Sequence, residues 1–380
     1  MKLEQCQWTS AGGWVPTPLA STLGASAQLV LLFGQASLLS AREGWAQVRE
    51  AFPNAHIFGC TTGGEIQDTR VGDGTLALTA IAFEHSHVAT SKAYIQSADL
   101  CFSTGERLIQ GLPVPGLRHV LVLSEGLRVN GSDLVNGIQA ALPPGVSVSG
   151  GFAADGNSFQ RTHVWCDAAP EESTVIALGF YGERLRIGLS VTKGWHPFGP
   201  DRLITKSRNN VLYEFDGCPA LALYKRYLGE LATGLPAAGL MFPLELSIGS
   251  SKNRVLRALL AVDEQEQSIT FAGNVPEGSH ARFMMGQVED LIEGAQVAAA
   301  ASFEDLGGPQ ASLSLLVSCN ARRAVLKQRV EEEVEVVREV LGPLTALTGF
   351  YSYGEIGPSA AGSLPELHNE TMSITSLAEV

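Results

Sequence analysis

The chain has 380 residues, more than a single hydrophobic core usually serves, so two lobes are expected. Its apolar share of 45% against 17% charged residues describes well-packed globular material, and its 41 glycines and 18 prolines follow no collagen-like or linker-like period. A formal charge of −13, with no basic stretch to offset it, argues against nucleic acid or an anionic membrane surface as a partner.

The opening residues, MKLEQCQWTS, lack the apolar core of a secretory leader. Residues 28–34 (QLVLLFG) form a short apolar run of the kind a buried strand needs. Leu38, Ala41, Trp45, Val48 and Phe52 follow at spacings of three and four, which predicts a helix stopped by Pro53 and Asn54. HIFGC then re-enters as a strand. TLALTAIAF and HVATSKAYI read as a hairpin-like pair, and residues 118–156 as a strand–helix–strand passage.

Further pairs follow: TVIALGFYG with RLRIGLSVTKGW, and RVLRALLAV with SITFAGNV. LATGLPAAGLMFPLELSI comes nearest to a membrane span, but its glycines and prolines make it a broken surface passage. SLSLLVSC (312–319) is a strand, and Leu326, Val330, Val334, Val337 and Leu341 mark one face of a helix that Gly342-Pro343 ends. ALTGFYS closes a third strand–helix–strand unit. The expected fold is α/β (α+β), with two lobes of mixed β-sheets, packed helices, and strand–helix–strand modules alternating with β-hairpins. The lobes are expected to join near 200–235.

One signature occurs twice. Gly59, four residues, then Gly64-Glu65-Ile66 is matched by Gly349, four residues, then Gly354-Glu355-Ile356, each preceded by Val-Arg-Glu (48–50 and 337–339). A glycine-rich turn after a strand bares backbone N–H groups, and the glutamate sets a carboxylate at that edge. The same strings also serve as simple tight turns with a solvated acid, and both readings stand. SGGFAADG adds Gly150, Gly151 and Asp155. SCNARR adds Cys319, Asn320 and Arg322 at a strand end; Arg322 either clamps a carboxylate or pairs with Glu332 or Glu333.

Six scattered cysteines, without a C-x-x-C pair, fit a reducing cytosol. Familiar hydrolase, zinc-protease and phosphate-loop signatures are absent from the sequence, and His85 with His87 is an incomplete zinc set. No metal and no cofactor is expected.

The segments GCTTGGEI, GGFAADG, Gly194-Trp195 with Pro197 and Gly199, EFDGCPALALY, FPLEL, VPEG, SCNARR, GFYSYGEIGP and LHNETMSI occur in the order expected of FIST proteins (F-box and intracellular signal transduction). The chain resembles that family over roughly 25–378, with a FIST N-like region at 25–217 and a FIST C-like region at 218–378. The resemblance implies a sensory module for small molecules such as amino acids. Cys218, in DGCPAL, departs from the polar or basic residue expected there.

The expectation is a cytoplasmic sensor holding a small zwitterion, with an enzymatic role left open. Arg322 takes the carboxylate and Glu65 or Glu355 the ammonium, with Cys60, Gly63, Gly64, Gly150, Gly151, Asp155, Cys319, Asn320, Tyr351, Tyr353 and Asn369 around them. Output is expected through an unidentified signalling partner protein. The competing reading is a cysteine-dependent hydrolase or transferase using Cys60 or Cys319.

Overall fold

The computed structural model describes residues 1–40, 42–247, 254–360 and 362–380. Three stretches of the chain follow one plan: an edge-side strand, a parallel strand pair joined through a helix, an excursion strand, and a closing antiparallel strand. In the first module these are Lys2–Thr9, Leu29–Gly34, helix Arg42–Ala51, His56–Cys60, Glu65–Gln67 and Leu76–Ala82. In the second they are His87–Tyr94, Leu117–Ser124, helix Gly131–Ala141, Ser147–Phe152, Val164–Cys166 and Thr174–Tyr181. In the third they are Leu185–Thr192, Leu313–Cys319, helix Glu332–Leu341, Ala346–Ser352, Glu355–Pro358 and Met372–Glu379.

The excursion strands do not return to their own sheets. Glu65–Gln67 pairs with Thr348–Phe350 of the third module, Glu355 and Ile356 pair with Gly151 and Gly150 of the second, and Val164–Cys166 pairs with Phe58–Cys60 of the first. The exchange closes a ring of three. Hydrogen bonds repeat it: the N–H of Gly63 donates to Tyr351 O, that of Tyr353 to Phe152 O, and that of Ala154 to Thr61 O, at 2.7, 3.1 and 2.9 Å.

This arrangement explains the uninterrupted apolar strands. Each sheet faces a shared centre on one side and helices on the other, so both faces are dry. Leu31 and Phe33, Leu121 and Leu123, and Leu315 and Val317 meet in the centre, where the rings of Phe33 and Phe350 stack at 4.8 Å. Val30 and Leu32 instead face Val48 and Phe52, Val120 and Val122 face Leu134 and Ile138, and Leu316 faces Val334 and Val337. Asn130 caps the helix Gly131–Ala141 by accepting from the N–H of Asp133.

The third module is interrupted. After Thr192 the chain leaves for an eight-stranded sheet that includes His196–Arg208, Val211–Phe215, Leu244–Ser247 and His280–Met285, and it returns at helix Val288–Asp305. This insert carries its own core of Leu212, Phe215, Tyr224, Phe271 and Phe283.

The mixed α/β architecture with packed helices matches the sequence reading, and its detail differs in two places. The runs at Leu76–Ala82 and His87–Tyr94, read as a hairpin, lie in different sheets, as do Thr174–Tyr181 and Leu185–Thr192. They look like hairpins because they close one module and open the next. Leu259–Asp263 and Ser268–Phe271 do pair. Ala41 of the first predicted helix, and Ile248 at the end of the broken passage, lie outside the described residues. No described helix is long and apolar enough to cross a membrane.

Candidate functional site

The duplicated signature marks equivalent positions in the ring. Glu65 accepts from the hydroxyl of Thr62, three residues earlier, at 2.5 Å, and from Thr75, which precedes the closing strand, at 2.6 Å. Glu355 accepts in the same way from Ser352 at 2.5 Å and from Thr371 at 2.7 Å. Sheet register puts Val164 in the matching place of the second module, since Trp165 opposes Gly59 as Ile66 opposes Gly349 and Ile356 opposes Gly150. The second module has no acid at that place.

Gly59, Gly150 and Gly349 serve packing. A Cβ built on them would lie 1.7, 1.9 and 1.9 Å from the carbonyl oxygens of Leu32, Val122 and Leu316 on the adjacent parallel strand. Gly151 is likewise crowded by Val317, so the Gly150-Gly151 pair admits a neighbouring strand and lies away from the cleft.

A cleft of about 270 Å³ opens between the first module's turn and the long excursion loop of the second. It is lined by Thr61, Thr62, Gly63, Gly64 and Glu65 on one side, by Asp155, Ser158, Arg161 and His163 on the other, with Gln35 and Asp73 at its margin. The size suits a metabolite, since pockets for drug-sized molecules begin at roughly 300 Å³. Its charges are unevenly satisfied. Asp73 is held in a two-point pair by Arg323, whose Nη1 and Nη2 donate at 2.7 and 2.5 Å, and this pair keeps its carboxyl low. Asp155 accepts from the backbone N–H groups of Phe159, Gln160 and Arg161 and from the Tyr353 hydroxyl, so it organises the loop.

Glu65 is different. No ion pair reaches it among the described residues: Arg323 is near enough to feel its charge but is spent on Asp73 and Gly63 O, and burial, with the nearby Asp73 charge, pushes its carboxyl up to about 7 against the pull of Thr62 and Thr75. Arg161 lines the same cleft, with Nε and Nη2 donating to Glu172. Burial holds His163 below its ordinary value, hence as a neutral ring near pH 7.

Of the expected residues, Gly63, Gly64, Glu65 and Asp155 line the cleft. Tyr353 supports it by donating to Asp155 and, at 2.9 Å, to Gly156 O; Asn320 supports it by donating to Gly156 O at 3.0 Å. Arg322 does not reach it. Its guanidinium is completely buried, with Nε and Nη2 on Glu333, Nη1 on Lys193 O and Nη2 also on Leu291 O. The ion pair with Glu333 weighed in the sequence is the one formed. Tyr351 donates to the same Glu333, which removes it as a cleft wall. Glu355, Cys319 and Asn369 are buried outside the cleft.

Cys60 and Cys319 are buried, and desolvation raises both thiols well above their ordinary value. A neutral thiol is a poor nucleophile. His85 lies against Arg184 and His87 stacks on Tyr181. Among the described residues no group of three or more His, Cys, Asp or Glu side chains could hold a metal ion. Sequence reasoning missed Arg161 and His163; their signal was the QRTH string that closes the loop begun by GGFAADG.

Two family models together span the turns of the ring, and the break between them falls within the insert. The FIST N domain model matches residues 28–218 and the FIST C domain model residues 220–358. The chain belongs to the FIST family. FIST domains are associated with sensing in signal transduction. No curated protein sequence matches this FIST protein. Among solved structures, a cyanuric acid hydrolase from A. caulinodans aligns over 100% of this chain and 98% of its own, at 8% identity and a TM-score of 0.39. That superposition is too loose to transfer an activity.

Proposed function

We propose that this FIST protein is a cytoplasmic sensor that binds a small ammonium-bearing metabolite, an amino acid or similar zwitterion, in the Glu65 cleft. The observation that carries this reading is Glu65 itself: a carboxylate at a cleft wall, oriented by two hydroxyls and lacking a cationic partner among the described residues. An arriving ammonium supplies that partner, and the low local dielectric strengthens the pair. Arg161, rather than Arg322, is the guanidinium within the cleft for a ligand carboxylate. Output passes to a partner protein. The thiol-enzyme alternative is disfavoured because the thiols are buried and neutral.

Thermal-shift screening of amino acids and related metabolites against the intact chain tests the reading. A ligand at one hundred times its dissociation constant adds about 2.7 kcal/mol. A stabilising ammonium compound whose effect disappears in Glu65→Gln supports the proposal. A set of stabilising compounds unaffected by that substitution, or no amine that stabilises at all, overturns it.

A further inference from the structure

The residue before Thr75, Thr174 and Thr371 is left-handed in all three: Gly74 at φ +65°, Ser173 at +50° and Glu370 at +61°. The backbone there favours glycine, and a side chain pays in strain. In the first module Gly74 leaves room beside the cleft. In the third, the chain places a glutamate at that position. It is completely buried, and both of its carboxylate oxygens lack a hydrogen-bond partner among the described residues.

A carboxyl in that condition is costly in either protonation state, the charged one more so, since a buried unpaired polar group loses its solvation without return. Among the described residues no side chain donates to it, although the Cys319 thiol lies near enough to feel its charge. Arg322 is close enough to act on Glu370 electrostatically, but it is committed to Glu333. Glu355, which adds repulsion, is already saturated by Ser352 and Thr371. The preceding residue, Asn369, is 1% exposed and its Oδ1 is also unpartnered among the described residues. With Glu370 ionised, the two consecutive side chains offer three oxygen acceptors without a donor among the described residues. The insert covers the place: Trp195 donates through Nε1 to Glu370 O at 2.7 Å, and Tyr224 of the helix Ala220–Leu228 feels the Glu370 charge.

We propose that the seam between the third module and the insert holds a second, closed site in which Glu370 and Asn369 receive a primary ammonium ion. An ammonium brings three N–H donors to three oxygen acceptors. A metal ion is a poorer fit, because a hard cation wants six or more oxygen ligands and no group of three or more His, Cys, Asp or Glu side chains is available among the described residues. The site is the third module's counterpart of the open cleft and does not depend on the cleft's own ligand.

The test uses methylammonium chloride, titrated calorimetrically at about pH 8 into the intact chain carrying Glu65→Gln, so that the cleft is disarmed, with sodium chloride as the ionic-strength control. Saturable methylammonium binding is expected in this background. Adding Glu370→Gly, which installs the residue Gly74 provides in the first module, should weaken it by at least roughly tenfold, the loss for one charged hydrogen bond. Adding Glu370→Gln should weaken it comparably and guards against a folding defect in the glycine variant. Absence of saturable binding in the Glu65→Gln chain, or equal binding after either Glu370 substitution, overturns the proposal.

Discussion

Glu65 and Glu355 occupy the same place in two modules of one ring. Each accepts one hydroxyl from three residues back and another from the threonine before the closing strand. They differ in what surrounds them, for Glu65 meets the cleft and Glu355 is sealed within protein. The sealed one makes a sharp stability prediction. Burial raises the Glu355 carboxyl from the ordinary 4.5 to about 7, with Glu370 and Arg322 as its charged neighbours. Folding therefore favours the protonated form: its contribution is complete below about 4.5 and is lost as pH rises through 7. Glu355→Gln should gain on the parent chain by roughly 3 kcal/mol between these limits, measured by urea denaturation across pH. A stability difference that does not vary with pH refutes this.

The three packing glycines predict intolerance to the smallest side chain. Gly349→Ala would drive its Cβ into the carbonyl oxygen of Leu316, a backbone atom that cannot turn aside. A loss of at least about 3 kcal/mol in denaturant stability is expected, in the range of severe overpacking. Gly59→Ala should behave alike. Near-parental stability in either would mean that the parallel pairs are spaced more widely.

The sequence showed the duplicated acidic turn because both copies kept Gly-Glu-Ile, and it showed the parallel pairs because their strands are apolar throughout. It hid the third copy, where Val164 replaces the acid and the turn grows into the long 153–163 loop. Strand exchange was also hidden, since periodicity reports which face of a strand is dry but not which sheet it joins. The same limit misplaced Arg322. A guanidinium at the end of a buried strand suits a carboxylate clamp as well as the nearby Glu333, and what decides between them, the carbonyls of Lys193 and Leu291 that complete its buried cage, comes from elements distant in sequence.

That placement makes Arg322→Ala a stability variant, not a binding variant. Removing one partner of a buried pair leaves Glu333 uncompensated, so the variant should lose about 3–5 kcal/mol of folding stability. Chemical denaturation of the ligand-free chain reads this directly. A variant as stable as the parent would show that the pair is not buried in solution.

Thiol accessibility gives an independent check on the nucleophile question. Cys218 is exposed, while Cys60 and Cys319 are buried with raised thiols. A maleimide at neutral pH should label Cys218 quickly and spare Cys60 and Cys319 until the chain unfolds. Rapid native labelling of Cys60 would revive the thiol-enzyme reading.

The central claim is that the Glu65 carboxylate receives the ammonium of a small ligand, and its titration offers the most direct measurement. With its carboxyl near 7, Glu65 is mostly neutral at about pH 6 and mostly ionised at about pH 8. Calorimetric affinity of the best amine from the screen should rise about tenfold over that interval in the parent chain. In Glu65→Gln it should be weak and nearly independent of pH. An affinity that is flat with pH in the parent, or that survives the substitution with its pH dependence intact, would contradict the account.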